Sequence, residues 1–207
     1  GPAATIGCDG CTFLNPDKAI NDYSEEPSIK LYCVPNVQLD KEVKDIGQFD
    51  GVTLNAVLMR PKSRGEIKLK SSDPNDMPLL NPNYLSHEDD RRLQISAFKY
   101  SREILNSKPL NEIIINEIFP GKSAKTDEDI LNHCKKSIKT NWHPVGTCKM
   151  GDEEDIYAVC DTKLRVKGVK GLRIFDASSF PNLVAGNTNA PVIAFALKAV
   201  TELINEY

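Results

Sequence analysis

The sequence predicts a mixed α/β fold of the α+β type, an antiparallel sheet packed with helices, on three observations. Val52, Leu54, Ala56 and Leu58 alternate with Thr53, Asn55, Val57 and Met59, and Ile67 and Leu69 alternate again beyond the turn signal Pro61-Lys62-Ser63-Arg64-Gly65. That period of two is the mark of half-buried strands, here an antiparallel pair. Ser86 with Asp89, and Thr126 with Asp129, carry the three-residue spacing of a capping box ahead of amphipathic stretches. A third helix is expected over 190–206, with Pro191 in its first turn, where a missing N–H does no harm.

The elements follow in chain order. Residues 1–28, rich in Gly, Pro, Asp and Asn, read as irregular surface chain leading into a short strand at 29–34. The alternating pair at 52–58 and 67–69 comes next, followed by a Pro- and Asn-rich loop at 71–84. A helix over 88–106 turns Leu93, Ala97, Tyr100 or Ser101, and Ile104 inward, with Asp89, Asp90, Arg91, Arg92 and Lys99 facing water. The second helix carries Ile130, Leu131, Cys134 and Ile138 and stops before Trp142. Residues 164–166 and 172–175 flank a Lys-Gly-Val-Lys-Gly turn and read as strands.

Composition narrows the function classes. The chain has 207 residues, 40% hydrophobic and 27% charged, with a net charge of −3, so no basic surface waits for a phosphate backbone and nucleic acid is set aside as a partner. No run approaches the ~20 apolar residues of a membrane helix, so no membrane span is expected. The first residue is Gly1, which fits an N-terminus made by processing and a chain cut from something longer. Six cysteines are too few for a framework. Cys8-x-x-Cys11 lacks the further ligands of a zinc site, leaving metal, a redox pair or local disulfide, and ordinary thiols as readings; no metal site is assigned. There is no Asn-x-Ser/Thr acceptor, and the compartment stays open.

Two segments, 141–151 (Asn-Trp-His-Pro-Val-Gly-Thr-Cys-Lys-Met-Gly) and 175–191 (Phe-Asp-Ala-Ser-Ser-Phe-Pro-Asn-Leu-Val-Ala-Gly-Asn-Thr-Asn-Ala-Pro), are richer in Gly, Pro, Asn and small residues than packing requires. His143, between the only tryptophan and a proline, has its backbone held extended and its ring placed by Trp142, which suits a base of fixed geometry. A core histidine bonded to backbone is the plainer alternative. Asn187 or Asn189 can cap the last helix, whose positive end then faces an anionic or electron-rich group, or the helix is simply capped. Asp176, at the end of an apolar stretch, reads as a ligand-facing carboxylate.

His143-Pro-Val-Gly-Thr-Cys-Lys-Met-Gly151, then 164–178 (Leu-Arg-Val-Lys-Gly-Val-Lys-Gly-Leu-Arg-Ile-Phe-Asp-Ala-Ser), then Gly186-Asn-Thr-Asn-Ala-Pro191 resemble the carboxyl-terminal domain of glucose-methanol-choline (GMC) oxidoreductases. Gly1-Pro2, Leu58-Met-Arg-Pro-Lys-Ser-Arg-Gly65 and Asn81-Pro-Asn-Tyr-Leu85 extend the resemblance over nearly the whole chain. It implies a substrate-binding domain over 1–207, with 1–140 mainly sheet and helices and 141–207 carrying catalytic and flavin-contacting segments. The Gly-x-Gly-x-x-Gly turn of the family's Rossmann-like FAD-binding half is missing from this sequence, so that half is expected on a separate chain or domain.

The same resemblance implies oxidation of an alcohol to a carbonyl with FAD as cofactor. His143 matches the histidine that takes the hydroxyl proton while hydride goes to flavin N5, and Asn187 matches its partner position, where an amide orients the alcohol oxygen. Asp176 and Ala177 match positions near the ribityl and phosphate region, and Asn189, Ala190 and Pro191 the segment beside the pyrimidine edge, where the ring carries negative charge near N1. Trp142 would line the pocket beside the isoalloxazine, on an apolar face left exposed without the flavin half. Cys148 is packing. A cyanohydrin lyase of the same family with non-redox FAD, and a non-catalytic binding module, are the alternatives.

Overall fold

A computed structural model of the chain describes residues 8, 10–17, 26–37 and 50–206; Gly1 and Pro2 lie outside the described residues. It is an α+β structure of antiparallel sheets and three α-helices, divided into two compact units, 1–63 with 84–139 and 64–83 with 140–207.

The first unit is built on a three-stranded antiparallel sheet in the order β1-β2-β3, with β1 Gly10–Leu14, β2 Ile29–Val34 and β3 Thr53–Leu58. The strands at 29–34 and 52–58 are as expected. β1 corrects the reading of 1–28 as irregular: Cys11 to Leu14 pair with β2 through Cys11↔Tyr32 to Leu14↔Ile29. This strand is short and mostly exposed, so burial left no alternation in its sequence. A second correction concerns pairing, since β3 bonds to β2, with Ile29↔Leu58 and Leu31↔Ala56, and not to residues 67–69.

Helix α1, Glu88–Leu105, covers this sheet. Ile29 and Leu31, two apart and therefore on one face of β2, are buried with Ala97, and Leu93, Tyr100 and Ile104 pack around them, the stripe the helical period predicts. Each fully buried Ile or Leu contributes about 1.5–3 kcal/mol of transfer free energy. The cap is His87 rather than Ser86: its backbone is extended and its Nδ1 accepts from Asp89 N–H at 3.2 Å. Thr126 and Asp129 do form the expected capping box at the start of α2, Asp127–Ser137, whose Ile130 and Cys134 are buried with Leu85. Burial raises the Cys134 thiol to about 11.

Asp90 is 1% exposed, not solvent-facing as its place in a charge run suggested. Its two carboxylate oxygens accept the Lys62 and Ser63 backbone N–H groups at 2.8 and 2.7 Å, so one side chain ties the turn after β3 to the first turn of α1. A similar clasp closes the loop before α2, where Arg102 meets Glu117 at 2.9 and 2.8 Å, donates to the Ala124 carbonyl at 2.7 Å, and lies over the Phe98 ring. Half-buried His133 packs edge-on to Phe98 and Phe119. Burial holds its pKa below the ordinary value, partly opposed by the Glu117 carboxylate and aided by the Arg102 charge.

In the second unit β4, Glu66–Lys68, pairs antiparallel with β5, Leu79–Asn81, inside the stretch expected to be loop. A Cβ on Gly65 would lie 2.3 Å from the Asn81 carbonyl oxygen, so that close approach requires glycine. Residues 164–166 and 172–175 make isolated bridges instead of strands, Arg165↔Arg173 and Cys160↔Val166, and Leu164 at φ +63° departs from extended backbone at the start of the first segment. Helix α3, Asn189–Ile204, closes the unit.

Two outcomes follow for the first unit. Asp90→Ala removes the acceptor of two part-buried N–H groups and is expected to cost about 2–3 kcal/mol, read from urea unfolding followed by circular dichroism. Because His133 has its pKa lowered in the folded state, the unfolded chain binds the proton first as pH falls below about 6.5. The urea midpoint should therefore drop between pH 7 and pH 5, and His133→Phe should flatten that slope.

Candidate active site

The residues expected to act in catalysis or to contact flavin all lie in the second unit, which comprises residues 64–83 and 140–207. The two chemistry-bearing segments run side by side. Gly146 N–H donates to Ala177 O at 3.1 Å, Cys148 N–H to Ser178 O at 2.8 Å, and Met150 N–H to Ser179 O at 2.9 Å. Gly146 makes this possible, with φ at +82° and a would-be Cβ only 3.3 Å from the Phe180 carbonyl oxygen.

The acceptor side of that splice is a 3₁₀ turn, Ala177–Ser179, capped by Asp176. The Asp176 Oδ1 takes the Ser178 N–H at 2.8 Å and the Ser178 hydroxyl, while the Ser179 hydroxyl donates back to the Asp176 carbonyl at 2.7 Å. Asp176 is exposed and Ala177 half-buried, so the carboxylate both holds its own turn and reaches solvent. Phe180, buried, then packs edge-on to Phe195 with centroids 5.0 Å apart and fixes α3 to the turn.

At the other end of the splice stands His143, half-buried. Its Nδ1 lies 3.0 Å from the Thr188 Oγ1. Thr188 was not among the residues singled out from sequence; the one signal for it was a hydroxyl between Asn187 and Asn189 at a helix start. It is also the N-cap of α3, and neither asparagine is, which corrects the capping expectation: Asn189 is already the first helical residue, and the Thr188 side chain makes no cap bond. Trp142 is 84% exposed and sits at φ +63°, its backbone N–H donating to the Thr140 hydroxyl at 2.9 Å. The ring nitrogen of His143 is thus held by Thr188, where Trp142 was expected to place it.

The structure brings together His143 with the start of α3, and with it Asn187, Asn189, Ala190 and Pro191 in sequence around Thr188. Asn187, Asn189 and Ala190 are exposed. The Thr188 side chain does not cap α3, whose N-terminus is the positive end of the helix. Further along α3, Ile193, Leu197, Val200 and Ile204 are exposed at 40–69% of their surface. Their spacing puts them on one face, an apolar stripe of the kind that marks a contact surface.

A family model described as GMC oxidoreductase matches residues 61–196, well over half of the chain. The chain belongs to the GMC oxidoreductase family. Within that family it corresponds to the carboxyl-terminal domain. It is 38% identical over 182 residues to an alcohol dehydrogenase [acceptor] of Pseudomonas putida, covering 88% of this chain and 32% of that protein. It is 35% identical over 212 residues to an oxygen-dependent choline dehydrogenase of Brucella anthropi, covering 97% of this chain and 38% of that one. Among solved structures, pyridoxine 4-oxidase from Mesorbium loti superposes with a TM-score of 0.85 at 27% identity, over 95% of this chain and 38% of that one. The chain therefore spans about a third of the length of the curated relatives it matches.

Gly146→Ala tests the splice. A Cβ at positive φ and against the Phe180 carbonyl is expected to cost about 1–2 kcal/mol or more, measured as a fall in urea midpoint.

Proposed function

We propose that this chain is the substrate-binding part of an FAD-dependent enzyme that oxidises the CH–OH group of a small alcohol to a carbonyl. The observation that carries the reading is the hydrogen bond between His143 and Thr188 at the start of α3. Membership of the GMC oxidoreductase family and relatives named for alcohol and choline dehydrogenation support it.

The residues present fit the cofactor on their own chemistry. The positive end of α3, with Asn189, Ala190 and Pro191 in its first turn, would suit an electron-rich ring edge. Asp176 and Ala177 offer an exposed carboxylate and a small residue beside the splice, suited to a polyhydroxylated chain. The exposed indole of Trp142 would offer a flat ring a face to stack on. FAD, held mainly by a flavin-binding part beyond this chain, supplies the hydride acceptor.

The remaining steps belong to this chain. The His143 Nε2 accepts the hydroxyl proton as the carbinol C–H bond breaks, so that the alcohol loses one proton and one hydride and its carbon becomes a carbonyl. Asn187 donates an amide N–H to the alcohol oxygen and holds it at reacting distance. The apolar stripe on α3 is the surface the flavin-binding part covers, which excludes water from the reacting atoms.

Stopped-flow reduction of the flavin in the assembled protein by an alcohol is the test. His143→Ala is expected to slow reduction by roughly 10²–10⁴, the usual worth of a general base, and Asn187→Ala by less. Wild-type reduction rates in His143→Ala would remove the histidine from the mechanism, and an alcohol that turns over without bleaching the flavin would point to lyase chemistry.

A further inference from the structure

Among the described residues, the α-helices begin at the N-caps His87, Thr126 and Thr188. His87 and Thr126 have extended backbones, with ψ at 140° and 163°, and their side chains turn back to accept a first-turn N–H. Thr188 has φ −83° and ψ −16°, already helical, and its side chain makes no cap bond although its carbonyl accepts the Val192 N–H at 2.9 Å. From a helical backbone the hydroxyl is aimed away from the first turn. The usual donor three residues on is also missing, because that position is Pro191. The hydroxyl is instead 3.0 Å from the Nδ1 of His143.

We propose that Thr188 is a positioning residue that fixes the tautomer of His143, keeping the proton on Nδ1 and the lone pair on Nε2. This rests on the reading of His143 as the base. A hydroxyl can donate or accept, but only one polarity serves a base that works through Nε2. With Thr188 Oγ1 accepting from Nδ1–H, the bond is the same before and after Nε2 takes its proton, since both nitrogens of the imidazolium are donors. With the hydroxyl donating to Nδ1, the ring proton lies on Nε2 and nothing is left to accept the substrate proton. The branched Cβ of threonine restricts χ1, so the hydroxyl is presented in one direction at little entropic cost. Because Thr188 also opens α3, the orientation of the ring and the position of the helix end are set by one residue.

Two variants and two readouts test this in the flavin-loaded assembled protein. Thr188→Val keeps the shape and removes the hydroxyl; Thr188→Ser restores it. Nitrogen-15 chemical shifts of labelled His143 report the tautomer without reference to turnover. The expected result is loss of the Nδ1–H preference in Thr188→Val, with kcat down about tenfold and KM within about twofold, and recovery of both shifts and kcat to within about threefold in Thr188→Ser. An unchanged tautomer in Thr188→Val overturns the proposal, whatever the rate. Equal losses in the Val and Ser variants also overturn it, since the hydroxyl would then not be what matters. A tautomer that changes in Thr188→Val without any change in kcat upholds the positioning role and removes His143 as the base.

Discussion

The candidate site depends on three main-chain hydrogen bonds, from the Gly146, Cys148 and Met150 N–H groups to the Ala177, Ser178 and Ser179 carbonyls. Neither partner segment is a strand or an α-helix, and each is held besides by a few main-chain bonds, Lys149 O taking the Val159 and Cys160 N–H groups and Ile174 N–H donating to Leu164 O. Their pairing brings the ends of the two segments into register: His143 lies three residues before the first bond, and α3 begins ten residues beyond the last acceptor, Ser179. The Phe180 and Phe195 rings then set the helix against the turn. The His143 contact with Thr188 closes the circuit, and every member of it belongs to one compact unit.

The first unit solves a different problem. Its core is a sheet and two helices joined by apolar contacts, and its polar ties are single side chains that satisfy several backbone groups at once, Asp90 at one end of α1 and Arg102 at the other. Such ties fix loops that have no regular structure of their own, because a buried donor left without its acceptor costs more than a typical bond contributes. Burial shifts His133 down and Cys134 up on α2 of this unit and raises the Tyr32 and Tyr100 hydroxyls, and in the second unit it raises the Cys160 thiol, with the Cys148, Asp161 and Asp176 charges adding to the shift.

What the sequence disclosed and what it hid divide along physical lines. Period and capping chemistry are local, so α1, α2 with its Thr126 and Asp129 box, β2 and β3 could be read directly, as could the inward stripe of Leu93, Ala97, Tyr100 and Ile104. Strand partners are not local: the alternation of Ile67 and Leu69 shows a strand but carries no mark of the β5 residues it bonds. Asp90 was hidden because a charge run looks the same whether a carboxylate meets water or two N–H groups. His143 stood out by its Trp-His-Pro setting and by resemblance, and Thr188 did not, since a hydroxyl at a helix start is ordinarily a cap and only its backbone angles show that it is not.

The splice also bears on how such a site can change over generations. Its bonds use only main-chain atoms, so they do not discriminate among side chains at Thr147, Lys149 or Ala177, and only Gly146 is constrained by its own backbone. Substitutions at those neighbours can alter what the pocket presents to a ligand while the alignment of His143 with the helix start survives. A framework of that kind lets one reacting geometry be inherited by chains that have diverged in the molecules they accept.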